Sequence, residues 1–458
     1  MALFWEEWKK CWRGRTAPLC LLALLAAAVC LGVYTGVDAL SDMDRYYQPM
    51  HNGPREAARQ KEFAGRWAGR LEAEELEKAL KNLQHAYAQN GNTQEQNGVK
   101  AFTPQARRQW YDPVEAVVPL MESVLNISGA YEGAGAQEDG LYTADASQLR
   151  RFYELRHEKV LASVEFRQQN GSLNEAQADA LLKREAQLQT PFAYGYTKGF
   201  SEYTRAHTIV AYLAAVFICI LCAPVFAGEV KTGADAVLKA ARHGRMALAR
   251  AKVCAALCAA SALYAAGTAA IAAAQLAFCG TDGWNAAVQV SSEGSLYLVN
   301  PVNMLQCEAG AVLYGYICCL GVAGVSLCFS ACLRSSFAAM AASVCILVLP
   351  EILRFLPGMD VLRQLLPGNV STAFAFMQGE MFFDVAGRPV PMQVLQLAVP
   401  LALALCGAAA AAGVRFYNAA GESFVPVGGT LKDIERIDMS SRDPALNSVE
   451  IVTMCDID

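Results

Sequence analysis

The chain has 458 residues, of which 54% are hydrophobic and 18% charged, with a formal net charge of -5. This is too apolar for an ordinary soluble protein, yet it leaves enough polar sequence for one sizeable exposed domain. The small net charge gives no reason to expect nucleic acid as a partner.

A helix crosses a hydrocarbon core of about 30 Å with roughly 20 apolar residues, because every backbone polar group must be bonded inside the segment. Six runs meet that requirement: 17–37, 208–227, 247–278, 309–333, 336–356 and 394–414. The expected fold is therefore an all-α integral membrane protein, with six transmembrane helices and a large helical extracytoplasmic domain between the first and second. Residues 1–16 form the N-terminal segment, and Lys9, Lys10, Arg13 and Arg15 precede the first run in the manner of a signal peptide. The uninterrupted length of that run favours an uncleaved anchor.

Basic residues beside the spans set the orientation. The N-terminus carries four of them, and the segment after the second span carries Lys231, Lys239, Arg242, Arg245, Arg250 and Lys252. The loop 280–308 has no Lys or Arg. Both termini are then expected in the cytoplasm, with 38–206, 279–308 and 357–393 outside.

Residues 38–206 show helical rather than strand periodicity. Phe63, Trp67, Leu71, Leu76, Leu80 and Leu83 recur at three- to five-residue steps across 55–89, one amphipathic face. Further helices are expected over 112–125, 147–169 and 173–189, the last capped by Ser172. Gly-rich stretches mark loops at 91–100 and 133–140. These elements suit a bundle packed on the outer ends of the spans, or a surface that recognises a ligand.

The third span is mostly alanine from 255 to 274, with Gly267, and the fourth carries Gly315, Gly321 and Gly324. Small residues let helices approach closely, so both spans are expected inside the bundle. Of the sixteen cysteines most lie within apolar runs, where they act as small hydrophobes. Cys279 and Cys307 bracket the predicted outer loop, where they either pair as a disulfide or simply end apolar helices. Near the end of the fifth span Glu351 and Arg354 share a helical face, an expected intramembrane ion pair with either a structural or a substrate-path role. The tail 417–458, with Gly421, Pro426, Gly428 and Gly429, is expected to be largely extended or disordered, on the cytoplasmic side.

No catalytic residue is identified. The chain has no Gly-x4-Gly-Lys-Ser/Thr phosphate loop and no His-Glu-x-x-His pair, and no metal site is expected from five histidines scattered outside the predicted spans. A membrane-embedded enzyme is the least favoured class, since no paired intramembrane acids or nucleophile–base set emerges.

The segment 226–252 carries most information. A span ends at Ala227, a short helix places Val237 and Leu238 on one side, and Gly244 breaks it before a second basic helix. By physics alone this suits a basic helix on a lipid surface with anionic headgroups. Glu229, Thr232, Gly233, Gly244, Arg245 and Lys252 also follow the pattern by which this segment resembles the permease subunits of ABC-2 type transporters.

That resemblance implies a coupling helix within 228–252 that docks on a separate ABC ATPase subunit, and a second permease subunit completing a homodimer or heterodimer. It implies ATP and Mg on the partner ATPase and none on this chain, which would not itself be an enzyme. The expected function is then a permease of a bacterial plasma-membrane exporter. The competing expectation is a membrane sensor or resistance protein that recognises an envelope component or peptide through its outer helical domain.

Overall fold

The computed structural model describes residues 2–39, 54–96, 99–127, 140–232, 246–291, 295–378, 381–385, 387–413, 415–417, 423–424 and 436–438. An aromatic helix, α1 (Ala2–Arg13), leads into α2 (Thr16–Ala39), the first apolar helix. Between it and the second lie α3 (Pro54–Arg66), α4 (Ala73–Ala88), α5 (Val118–Leu125), α6 (Phe152–Gln169) and α7 (Glu175–Glu185). The remaining long helices are α8 (Lys198–Cys222), which continues into α9 (Pro224–Thr232), α10 (Met246–Cys279), α11 (Met304–Cys332) and α12 (Ser336–Leu353). Two short helices, α13 (Asp360–Leu365) and α14 (Ala373–Gln378), precede α15 (Met392–Ala411).

Among the described residues the protein is mostly helical, and six helices are long and apolar enough to cross a membrane: Thr16–Gly36, Lys198–Val230, Met246–Cys279, Met304–Cys332, Ser336–Leu353 and Met392–Ala411. They pack into one bundle. Its core joins Leu24 and Ala28 of α2, Val210, Ala214 and Ile218 of α8, Ala256, Ala260 and Leu263 of α10, and Tyr314, Cys318 and Val322 of α11. Against lipid, burying such side chains gains little from the hydrophobic effect, so close packing carries the association. The small residues provide it. A Cβ on Gly407 would lie 2.3 Å from the Gly324 carbonyl oxygen, and one on Gly324 would lie 2.6 Å from Ala404 Cα, so α11 and α15 meet backbone to backbone.

A second core lies at one end of the bundle. Leu76, Leu80 and Leu83 of α4 meet Met121 of α5, Phe152 of α6 and Phe192. Ala286, Val288, Val290, Leu296 and Leu298 from the α10–α11 connection complete the same core. The hairpin before α15 joins this end too, since Asn174 and Gln177 of α7 donate to Asp384 Oδ2 and the Phe382 carbonyl, both at 2.9 Å. The three segments expected on one side of the membrane therefore touch one another.

Several local expectations are corrected. The amphipathic run 55–89 is not continuous: Gly69 adopts φ +111°, a conformation glycine takes cheaply, and the chain turns between α3 and α4. There Gly69–Arg70 (β1) pairs with Ala193–Tyr194 (β4), joining distant parts of the sequence by backbone bonds that no periodicity reveals. The helix expected over 112–125 begins as a helix only at Val118, after a 3-10 turn over Glu115–Val117. The cap of α7 is Asn174 rather than Ser172. Asn174 Oδ1 accepts from the Gln177 N–H at 2.8 Å while Gln177 Oε1 accepts from the Asn174 N–H at 2.9 Å, a reciprocal box that satisfies two otherwise orphan donors.

Nor is the chain purely helical. Short antiparallel pairs join Thr93–Gln96 (β2) to Val99–Phe102 (β3), and Phe382–Val385 (β5) to Arg388–Pro391 (β6). After the last long helix, Arg415–Tyr417 (β7) is the middle strand between Ser423–Phe424 (β8) and Arg436–Asp438 (β9).

Candidate functional site

Charged and polar side chains inside an apolar bundle are costly, which makes them the first place to seek function. Thr204 and His207 lie three residues apart on α8, hence on one face. His207 is 1% exposed and Glu308 of α11 is 5% exposed. The Thr204 hydroxyl hydrogen-bonds Glu308 Oε1 and also lies 3.0 Å from the Phe200 carbonyl oxygen. His207 Nε2 lies 3.1 Å from the Tyr264 hydroxyl of α10 and 3.5 Å from Thr268 Oγ1, and its ring stacks on Tyr203 at 5.4 Å.

The hydrogen positions follow from the donor count. Tyr264 donates its one hydrogen to the Val312 carbonyl at 2.7 Å, so it must accept from His207 Nε2–H. This assigns the Nε2–H tautomer to the neutral ring and leaves a lone pair on Nδ1. Among the described residues, His207 Nδ1 and Glu308 Oε2 are buried without a hydrogen-bond partner. Gly315 makes the approach of Tyr264 feasible, because a Cβ there would sit 2.7 Å from the phenol oxygen.

At the opposite end of the bundle Lys252, 3% exposed, forms an ion pair with Glu229 and donates to the Val225 carbonyl at 3.3 Å. Lys10 of α1 reaches the same carboxylate at 3.7 Å. One acidic side chain thus ties together α1, α9 and α10.

Two residues of the expected coupling segment, Glu229 and Lys252, are therefore brought together. Thr232 ends α9, and Gly233, Val237, Leu238, Gly244 and Arg245 lie outside the described residues. On α12, Glu351 is half-buried, whereas Arg354 is exposed at the helix C-cap. Cys279 and Cys307 are buried free thiols, and Cys279 Sγ lies 3.9 Å from Gln275 Oε1.

The expectation that histidines lie outside the spans, with ionisable groups inside them reduced to Glu351 and Arg354, is corrected. His207, Lys252 and Glu308 all lie within helices of spanning length. Hydropathy runs end where polar residues begin, but backbone hydrogen bonding starts α8 at Lys198 and α11 at Met304, about one to three turns before the apolar runs at 208 and 309. The available signals were the Thr204–His207 spacing and a lone Tyr264 within an alanine-rich helix.

With the geometry established, the comparisons with known proteins point elsewhere in the chain. Residues 404–458 match the glycerate kinase family. A glycerate kinase from Bacillus cereus is 46% identical over 52 residues, 11% of this chain and 14% of that relative. The chain thus spans about one-seventh of the length of the curated relative it matches. No solved structure matches.

These findings overturn the reading of the chain as an ABC-2 type permease. A stretch of 52 residues at 46% identity is a far more specific signal than a handful of Gly, Glu and Lys positions spaced over 228–252. With it fall the exporter function, the expectation that the chain is not an enzyme, and the ATPase and second permease subunit as partners. The sensor or resistance alternative gains no support either. The matching segment escaped notice because beyond the last span its Gly- and Pro-containing sequence carries no long apolar period to recognise.

Proposed function

We propose that the chain is a membrane-embedded protein whose C-terminal segment belongs to a phosphoryl-transfer unit acting on glycerate. The reading is carried by the similarity of residues 404–458 to glycerate kinases. The six-helix bundle serves as the membrane attachment, and the short sheet β7–β8–β9 begins three residues beyond Ala412, the C-cap of the last long helix.

Charge placement supports an arrangement in which that segment meets cytosolic nucleotide. Lys9, Lys10 and Arg13 of α1 lie at the end of the bundle where Lys252 and Glu229 pair, and an even number of spans returns the tail to that side. By the positive-inside rule this is the cytoplasmic face, in a bacterial plasma membrane. The unit formed by 54–127 and 140–196 then lies outside. Phosphoryl transfer demands mainly positioning and charge stabilisation, so the segment contributes backbone and polar groups to such a cradle.

The test uses the full chain in lipid nanodiscs, supplied with ATP and glycerate, and follows release of ADP. Glycerate-dependent ADP release that disappears on deletion of residues 415–458 supports the reading. Absence of release, or the same release without that segment, rejects it.

A further inference from the structure

The seam between α8 and α11 contains a carboxyl group that the glycerate reading does not use. Glu308 sits in the second turn of α11, and its Oε1 meets the Thr204 hydroxyl. Thr204 has one hydrogen and two acceptors in reach, Glu308 Oε1 and the Phe200 carbonyl oxygen 3.0 Å away. If Glu308 were ionised, that hydrogen would go to one acceptor and leave the other without it. With a proton on Glu308, the carboxyl O–H donates to Thr204 Oγ1 while Thr204 donates to Phe200, and both contacts are hydrogen bonds.

The other carboxyl oxygen argues the same way. Oε2 is buried with no hydrogen-bond partner among the described residues. An ionised carboxylate left so in an apolar setting is far more costly than the carbonyl oxygen of a neutral acid.

The groups on the surrounding helices supply no compensating positive charge at this carboxyl. From α8 come Tyr203 and the neutral His207, with Glu202 and Arg205 at 3.4 Å from each other. From α10 comes Tyr264, from α11 itself Cys307, and from α12 Glu351, while α14 and α15 carry no Asp, Glu, Lys, Arg or His. Glu229 and Lys252 pair at the far end of the bundle.

We propose that Glu308 is a proton-binding site within the membrane bundle, holding its proton toward Thr204 at neutral pH. The step balances simply: a carboxylate and a proton give a carboxylic acid, with no other reactant. His207, one turn along α8, offers the second buried unpaired atom of the seam, the Nδ1 lone pair.

The experiment is infrared spectroscopy of the full chain in lipid nanodiscs at about pH 7, where ordinary carboxyls are ionised and silent in the carboxylic-acid region. The expected result is a carboxylic-acid C=O band that is lost in Glu308→Gln and shifts in frequency in Thr204→Val. A wild-type protein without such a band, or a band of unchanged intensity in Glu308→Gln, overturns the proposal. If Glu308→Gln does not assemble, Thr204→Val decides alone: a shifted band sustains the assignment and an unmoved one overturns it.

Discussion

Arg156 of α6 and Glu185 of α7 form an ion pair at 2.5 Å with both side chains out of water. The same guanidinium donates to the carbonyls of Leu296 at 2.7 Å and Leu298 at 2.8 Å. One cation thereby ties two helices to the α10–α11 connection, far away in sequence. Replacing Arg156 with Ala leaves the buried Glu185 carboxylate only His157 Nδ1 at 3.2 Å, and leaves the Leu296 carbonyl without this donor while Leu298 keeps Gln289 Nε2 at 3.1 Å, an expected loss of about 3 kcal/mol. The double variant Arg156→Met, Glu185→Leu should recover part of that loss but not all, because the Leu296 carbonyl stays without the Arg156 donor. Denaturant unfolding of the detergent-solubilised chain, followed by Trp fluorescence, measures both, and a full recovery would show that the carbonyl contacts contribute nothing.

Lys252 and Glu229 form the corresponding clamp at the other end of the bundle. Removing Lys252 alone, as Lys252→Met, should destabilise by less than about 3 kcal/mol, since it takes the nearest cation from a partly buried carboxylate that Lys10 still reaches at 3.7 Å. Adding Glu229→Gln to that variant should restore more than half. A double-mutant cycle on unfolding in mild detergent checks this, and strict additivity would mean that the pair is not coupled.

The contact between α11 and α15 has no spare space. Gly407→Leu is expected to abolish the folded protein, because a Cβ would already lie 2.3 Å from the Gly324 carbonyl oxygen, which is backbone and cannot rotate away. Gly14→Ala, where nothing lies within 4 Å of an added Cβ, should leave folding unchanged. Monodisperse yield on size-exclusion chromatography distinguishes the two.

Acid should loosen the helical unit formed by 54–127 and 140–196 through Glu77. Lys81 and Arg150 each donate to its carboxylate at 2.6 Å, and these bonds hold its pKa below the ordinary carboxylate range. Because the folded value is the lower one, this stabilisation is complete above the unfolded value and is lost as pH falls through the folded one. Glu77→Gln should lower stability near neutral pH and flatten the decline in acid. Unfolding midpoints measured from pH about 3 to about 7, spanning ordinary carboxyl titration, show this as converging curves, and parallel curves would exclude the contribution.

The six membrane-length helices were legible because hydrocarbon imposes a length and composition on any helix that crosses it. Thr16–Gly36 and Met392–Ala411 fall close to the apolar runs that announced them. The alanine-rich Met246–Cys279 is central in the bundle, as its small side chains required. The unit between the first two of these helices was legible only as helical. Its turn at Gly69 and the pairing of Gly69–Arg70 with Ala193–Tyr194 depend on partners far away in the chain.

The seam was hidden for a related reason. Glu308 and His207 were placed outside the spans because hydropathy averages stop at the first polar residues, and only the continuing backbone bonds carry them inside. What the sequence determined by itself is how often this chain is suited to cross a bilayer, since that depends on local apolarity alone. The 404–458 similarity likewise resides in the order of residues rather than in any contact. Tertiary structure decided which polar groups meet. The encounters of Thr204 with Glu308, His207 with Tyr264 and Arg156 with Glu185 each join different helices, and their proximity is set by packing that no local pattern encodes.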